Sequence, residues 1–524
     1  PRHDPQVPGG SVTTTKDSPS RNLERSLWLR KNRGRIAIVA FLLFIPLYAL
    51  VGTAMTAGGL LVAVIRGLAV GAIAFLVVSG LSLILGLMDV LSLMHGELYM
   101  LGAYAGWTIY VRPDTFLDAI TPIALALSGI ALLPLWRRLA SQWPGSQWAR
   151  AVLPAAALVI GLVLMALLFV RFPMSIWDAD VVVESPGFHS TLLQSGAQQP
   201  PDPAGFDGVP ALVGLLGMWI AGAIFGFGIA AAVERKAEIA APKPSRESYY
   251  PAIAIGVFGL IVFAVNNPVT EWWVTMGTTP RFFLALLIAP VLAFALGAFF
   301  EVVFIRPLYE RLLFQLMMTL GLGFILIELV ESIWGDTGFT VPRPALFDGT
   351  IKIGGSTIRW YQEVFIIGVG LVVLVSITLL LKRSRLGMTI RAGVQDSDMV
   401  EALGINVRRV FTITFALGVA LAALGGVIAG PALSPNPHMG SAVLLSAIVA
   451  MAIGGLTSFP GAAVGAVIVG ILQQIMVQLG SVGISLPGLA EPLKPSPVIV
   501  PASSILLMII VLMVLPNGLM GRED

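Results

Sequence analysis

Ser92, His95, Glu97 and Tyr99 place a hydroxyl, an imidazole, a carboxylate and a phenol within a few residues of one another, with Gly96 and Met94 between them. An imidazole two residues from a carboxylate can move a proton, or hold a polar solute by matched donors and acceptors. The cluster opens an apolar run over 92–111, and ionisable groups so close to hydrocarbon are costly unless they face a cavity or a partner. A transport pathway or a packed polar core is therefore the expectation, with simple satisfaction of a helix end as the plain alternative. Catalysis ranks below both. No lysine follows a glycine, so the chain has no Gly-Lys-[Ser/Thr] phosphate loop. It has no Gly-x-Ser-x-Gly elbow and no His-Glu-x-x-His helix either. Cysteine is absent and the 4 histidines are scattered, so neither thiol chemistry nor a metal centre is expected.

A second constellation, from Lys382 to Asn406, is polar and lies between two apolar runs. Residues 396–405 predict a short capped helix. Asp396 or Ser397 can accept from its first free N–H groups, and Asp396 and Asp398 suit the positive end of the dipole. Gly404 stands where a left-handed C-cap wants glycine, Ile405 is the apolar residue that closes such a cap, and Asn406 can cap the next helix. Met399, Val400 and Leu403 share a face, with Glu401 beside them. An apolar stripe outside the membrane either docks a partner or packs on the protein's own helices.

These segments sit in a chain that is 56% hydrophobic and only 12% charged, with a mean hydropathy of +0.89. An all-α polytopic membrane protein follows, with about fourteen runs near the length needed to cross hydrocarbon. They are 36–52, 60–86, 92–111, 117–136, 150–170, 209–233, 250–265, 282–304, 314–333, 361–381, 407–430, 441–456, 460–480 and 498–515. Threading them with residues 1–35 in the cytosol puts Arg137, Arg138, Arg235, Lys236, Arg306, Arg311 and the Lys382–Arg409 group inside. The outer segment 172–208 then carries Asp178, Asp180, Glu184, Asp202 and Asp207 without Lys or Arg. Basic residues flanking spans stay cytoplasmic, so both termini are expected in the cytosol. Only 334–360, with Arg343, Lys352 and Arg359, mildly breaks the pattern. The pI near 9.2 reports topology, and no nucleic-acid partner is expected.

Within the runs, Arg66 and Arg171 lie near outer ends, where such side chains snorkel to headgroups. Glu328 and Glu331 share a helix face near the outer mouth, and Glu301 can pair with Arg306. Gly426 with Gly430 and Gly461 with Gly465 are GxxxG spacings, with Gly454-Gly455 between them; they predict close helix packing.

Five blocks, in order, resemble the branched-chain amino acid permeases of ABC importers, whose pattern the urea and short-amide permeases share. They are Gly80-Leu81-Ser82 through His95-Gly96-Glu97 to Tyr104; Glu301 with Arg306-Pro307-Leu308; Ser384-Arg385-Leu386-Gly387 with Arg391-Ala392 and Leu403-Gly404-Ile405-Asn406; Ile453-Gly454-Gly455 with Pro460-Gly461-Ala462; and Leu515-Pro516-Asn517-Gly518. The resemblance covers 60–112 and 282–521. It implies a pore-forming subunit in a bacterial inner membrane, surrounded by lipid, that passes branched-chain amino acids or a related small polar solute. It also implies a second homologous permease, two ABC ATPase subunits and an extracytoplasmic solute-binding protein. The chain itself would bind no cofactor; ATP would be used by the ATPases. Arg391, Asp396, Met399, Val400, Glu401, Leu403, Gly404 and Ile405 would then form the ATPase-coupling element. The segment around Arg66, Asp89, Ser92, His95, Gly96, Glu97 and Tyr99 would flank the substrate path.

Two departures stand out. Arg66, Asp89 and Ser92 replace residues that family members often carry as Asn, Gly and Asn. Residues 113–281 form an insertion of four expected spans, an even number that leaves downstream loops on their proper sides. The resulting division is a tail (1–35), an N-terminal transmembrane part (36–112), the insertion (113–281) and a C-terminal core (282–521) containing the coupling loop 382–406. An ion-coupled secondary transporter is the alternative function, but such proteins carry central acids and two matching halves, and no central paired acids are evident.

Overall fold

The computed structural model describes residues 57–88, 90–142, 147–170, 172, 211–234, 245–309, 311–336, 338, 340–353, 356–395, 397–456, 458–483, 494 and 496–521. The expected span 36–52, most of the acidic segment 172–208, Asp89, Arg171 and Asp396 lie outside the described residues. So do the side chains of Ser397 and Asp398.

Long runs of Leu, Val, Ile, Ala and Gly must satisfy their backbone internally in hydrocarbon, which makes helices of them. The N-terminal part supplies α1 (Ala57–Met88) and α2 (His95–Val111). Next come α3 (Pro113–Ala131), α4 (Leu133–Ser141), α5 (Gln147–Val170), α6 (Ala211–Glu234) and α7 (Tyr250–Thr275). The C-terminal part holds α8 (Thr278–Phe300), α9 (Leu312–Trp334) and α10 (Ile366–Arg383), then the short α11 (Arg385–Gln395) and α12 (Ser397–Ala402). It closes with α13 (Val407–Leu433), α14 (Met439–Gly454), α15 (Phe459–Val482) and α16 (Ile499–Val514).

Helix α13 is the centre, in contact with α1, α2 and α8. α15 lies along α1, α14 packs on α15 and α2, and α16 closes against α14 and α15. In contrast, α3, α5, α6 and α7 pack chiefly on one another, and this subbundle joins the core at the α2–α3 corner. The segment 334–360 contains an element not expected from sequence: an antiparallel hairpin of β1 (Thr350–Ile353) and β2 (Ser356–Arg359), with Thr350 opposite Arg359.

Of the about fourteen expected crossings, the run 36–52 lies outside the described residues, and each of the other thirteen runs falls on a helix. Among the described residues, 10 helices are long and apolar enough to span a membrane, and α14 and α16 are shorter apolar helices. Helix α2 has only 17 residues because its chain enters through the turn at 90–94. The run expected at 117–136 divides at Leu132, ahead of Pro134, into α3 and α4. The run expected at 250–265 continues to Thr275. Asn266, Pro268 and Thr270 suggest a stop, but Asn266 finds a partner in Asp118, and neighbouring helices accommodate a membrane proline.

Candidate functional site

Helix α2 begins inside the bundle. The His95 imidazole packs on Gly80 of α1 so closely that a Cβ there would sit 2.8 Å from Nε2. α1 runs on for eight residues to Met88, so His95 lies roughly 12 Å along from that end. The chain turns back through 90–94 and starts α2 with no side-chain cap. At the same level Gly96 crosses Gly440 of α14, where a Cβ on either residue would strike the other's backbone.

Around this start the polar side chains are sealed. Ser92 and His95 are fully buried and Glu97 is 6% exposed. Ser92 Oγ and Glu97 Oε2 have no hydrogen-bond partner, and neither His95 nitrogen makes a well-formed bond, its backbone neighbour being the Val77 carbonyl. Tyr99, one turn on, is also fully buried with its hydroxyl unpaired. Opposite lies α9, whose Thr319 accepts from the Leu93 amide at 3.3 Å and whose Gly323 passes the Glu97 side chain. Gln315, one turn earlier on α9, is 2% exposed with Nε2 unpaired. Sequence reasoning missed Gln315 and Thr319. Their signal was a polar and small stripe, Gln315, Thr319 and Gly323, at one-turn spacing inside an apolar run.

Ser92, His95, Gly96, Glu97 and Tyr99 are therefore brought together, and Arg66 is not. It lies 14 residues before Gly80 on α1, roughly 21 Å away along the helix. There its Nε donates to Glu363 at 3.1 Å and its Nη2 to the Thr357 carbonyl at 3.1 Å. A buried carboxylate at the start of the α10 segment, Glu363, takes the guanidinium, whose side chain stays 42% exposed. Glu331 lies 3.7 Å from His438, and Glu328 is exposed.

The second constellation folds as a capped helix. The Ile405 amide donates to the Val400 carbonyl at 3.3 Å and the Gly404 amide to Glu401 at 2.9 Å, with Gly404 at φ +80°. These paired bonds are a Schellman cap. Asn406 then accepts from the Arg409 amide at 3.1 Å and starts α13. The apolar stripe divides: Val400 is 4% exposed, whereas Met399 is 59% and Leu403 72% exposed. Successive helical residues are about 100° apart, so Val400 turns inward as the anchor while Met399 and Leu403 share the outer face. Glu401 is exposed and Ile405 is 38% exposed. Arg391 is engaged within the chain, donating to the Leu381 carbonyl at 2.6 Å, where it caps α10.

Beneath this loop, Glu301 is fully buried and pairs with Arg306 at 2.9 Å, as the spacing suggests. Tyr309 also donates to Glu301, and burial followed by that carboxylate raises its hydroxyl above the usual tyrosine range. Arg306 Nη2 reaches Thr412 of α13 at 2.7 Å.

Of the glycines expected at helix contacts, Gly426 meets the Tyr99 carbonyl, Gly454 and Gly461 face each other's backbones, and Gly465 meets Ala450. Gly455 instead serves a positive φ of 113° beside Gly521, and Gly430 has ordinary contacts only, with Val341 and Pro435.

Comparison with known proteins places this architecture. The family model for the branched-chain amino acid transport system permease component matches residues 247–515, just over half of the chain. The high-affinity branched-chain amino acid transport system permease protein LivH of Escherichia coli is 32% identical over 243 residues, 45% of this chain and 73% of that protein. BraD of Pseudomonas aeruginosa, described in the same words, is 29% identical over 251 residues, 43% and 81% of the two chains. The fructose import permease protein FruF of Bifidobacterium longum is 25% identical over 147 residues, 25% and 41%. No solved structure matches the chain. A multi-pass helical membrane protein with these relatives is a transport subunit and not an enzyme, and the chain belongs to the branched-chain amino acid permease family of ABC importers.

Proposed function

We propose that the chain carries branched-chain amino acids across the membrane through the polar start of α2, driven by ATPases that dock on α12. Two ATPase subunits, a second homologous permease and an extracytoplasmic binding protein complete the assembly. The Lys382–Arg409 side faces the cytosol, as do both termini. ATP is hydrolysed by the partners, and this chain binds no cofactor of its own. The observation that carries the reading is α12 itself, which is anchored through Val400, capped at Gly404 and presents Leu403 and Met399 outward. Within the bundle, the uncapped amides of α2 and the unpaired Gln315 Nε2 suit a carboxylate, and Glu97 with the Ser92 and Thr319 hydroxyl oxygens suits an ammonium group. An amino acid zwitterion satisfies both. ATP-driven movement of α12 would change access to this site only if the two states bind the solute differently.

The test is Leu403→Asp in the assembled transporter. A carboxylate forced into an apolar groove costs several kcal/mol, about 3 or more, enough to prevent docking. Pull-down of the ATPases and solute-stimulated ATP hydrolysis should both be lost while the bundle stays folded. Full retention of both would remove α12 as the coupling element. ATP-independent uptake driven by an ion gradient would favour a secondary transporter instead.

A further inference from the structure

Where α8 approaches the foot of α13, a pocket of about 510 Å³ opens beside the coupling loop. Arg306, Arg408 and Arg409 line it, with Asn406 and Thr412, against a wall that includes Phe294 and Ala298. Arg306 is held by Glu301 and Thr412. Among the described residues, the Arg408 and Arg409 guanidinium groups have neither an ion pair nor a hydrogen bond, and both residues are exposed. The first turn of α13 adds the positive end of a 27-residue helix. The pocket thus holds two uncompensated cations and a third shared with one buried acid.

The wall is continued by a stripe along α8. Ala298, Phe294, Val291 and Leu287 recur at helical spacing along one face of α8, and Val291 and Leu287 are each 67% exposed. A soluble anion would use the arginines and leave this stripe idle. A molecule with an anionic head and a long apolar tail uses both.

We propose that this pocket seats the phosphodiester headgroup of an anionic phospholipid, with an acyl chain along Phe294, Val291 and Leu287. Basic pockets between membrane helices at the cytoplasmic face have this affinity. Because Asn406 also caps α13 immediately after α12, a bound headgroup would brace the joint between coupling helix and bundle. The proposal is independent of the solute transported.

The experiment is native mass spectrometry of the purified full chain with phosphatidylglycerol or phosphatidylcholine at equal concentration. Phosphatidylglycerol should be retained about tenfold more strongly. The double variant Arg408→Gln/Arg409→Gln should lose this preference. The charge-matched Lys382→Gln/Arg383→Gln, also exposed beside the same loop, should keep it. Equal retention of the two lipids by the unmodified chain would overturn the proposal, as would an undiminished preference in the Arg408/Arg409 variant. Displacement of phosphatidylglycerol by inorganic phosphate, but not by chloride at equal ionic strength, would assign the pocket to a soluble phosphate and also overturn it.

Discussion

In helices α3 to α7 buried polar groups are largely answered, whereas at the start of α2 they are not. Arg112, at the α2–α3 corner, grips Asp114 with Nε and Nη2, the latter at 2.8 Å. Asn266 donates to Asp118 at 2.6 Å, Ser128 to the Ala252 carbonyl at 2.8 Å, and Trp136 to Gly129 at 2.9 Å. Among the described residues of these helices, Thr115 Oγ1 and Trp273 Nε1 are left over. Around α2, Ser92 Oγ, Glu97 Oε2, the Tyr99 hydroxyl and Gln315 Nε2 lack a partner. Helix α1, which backs the start of α2, is also more enclosed than α5 and α7. The apolar window of α1 is 83% buried, while those of α5 and α7 are 17% buried and present most of their surface outward. A buried polar group left unpaired costs about 1–3 kcal/mol, so the core carries a destabilising set where a solute could supply the missing partners. Helices α3 to α7 use their polar groups to hold one another together.

The sharpest way to break this comparison is Asp114→Ala. Removing one member of a buried ion pair strands Arg112 and should cost about 3–5 kcal/mol, read as a lower melting temperature in detergent. A melting temperature within error of wild type would mean that the corner is not stabilised by its charges. Glu97→Gln tests the opposite side: transport in proteoliposomes should fall about tenfold or more, while the melting temperature holds or rises because an unsatisfied buried acid is relieved. Lost stability with normal transport would make Glu97 structural, like Asp114. For the coupling element, Gly404→Val meets open space but an unfavourable φ, a strain of about 1–2 kcal/mol confined to the cap. Weaker ATPase pull-down with unchanged melting of the bundle should result. Smallest is Ser128→Ala, which deletes one neutral hydrogen bond and should lower stability by about 1 kcal/mol without changing transport rate.

Much of this architecture was legible in the chain. Apolar runs revealed the helices, since hydrocarbon leaves the backbone few alternatives. The Gly404, Ile405 and Asn406 caps were equally legible, because cap chemistry is local. The Glu301–Arg306 pair was readable from a five-residue separation. Contacts across the fold were not. Nothing near Arg66 announces Glu363, 297 residues away, and nothing near His95 announces Gln315 and Thr319. The division of the α12 stripe was hidden for a related reason: which of three apolar neighbours turns inward depends on what the helix rests upon. The hairpin at 350–359 was obscured by its place between two long helices.

The tight middle of α13 has a mechanical consequence. Twenty-seven residues make a rod of roughly 40 Å. It is gripped midway, where Gly418 abuts Gly80, Ala423 abuts Gly102 and Gly426 abuts Tyr99. A stiff rod clamped at its waist can tilt more readily than it can slide. A sideways push at Val407 therefore swings Leu433 the opposite way, so that one end of the bundle narrows as the other widens, with the pivot close to the level of His95.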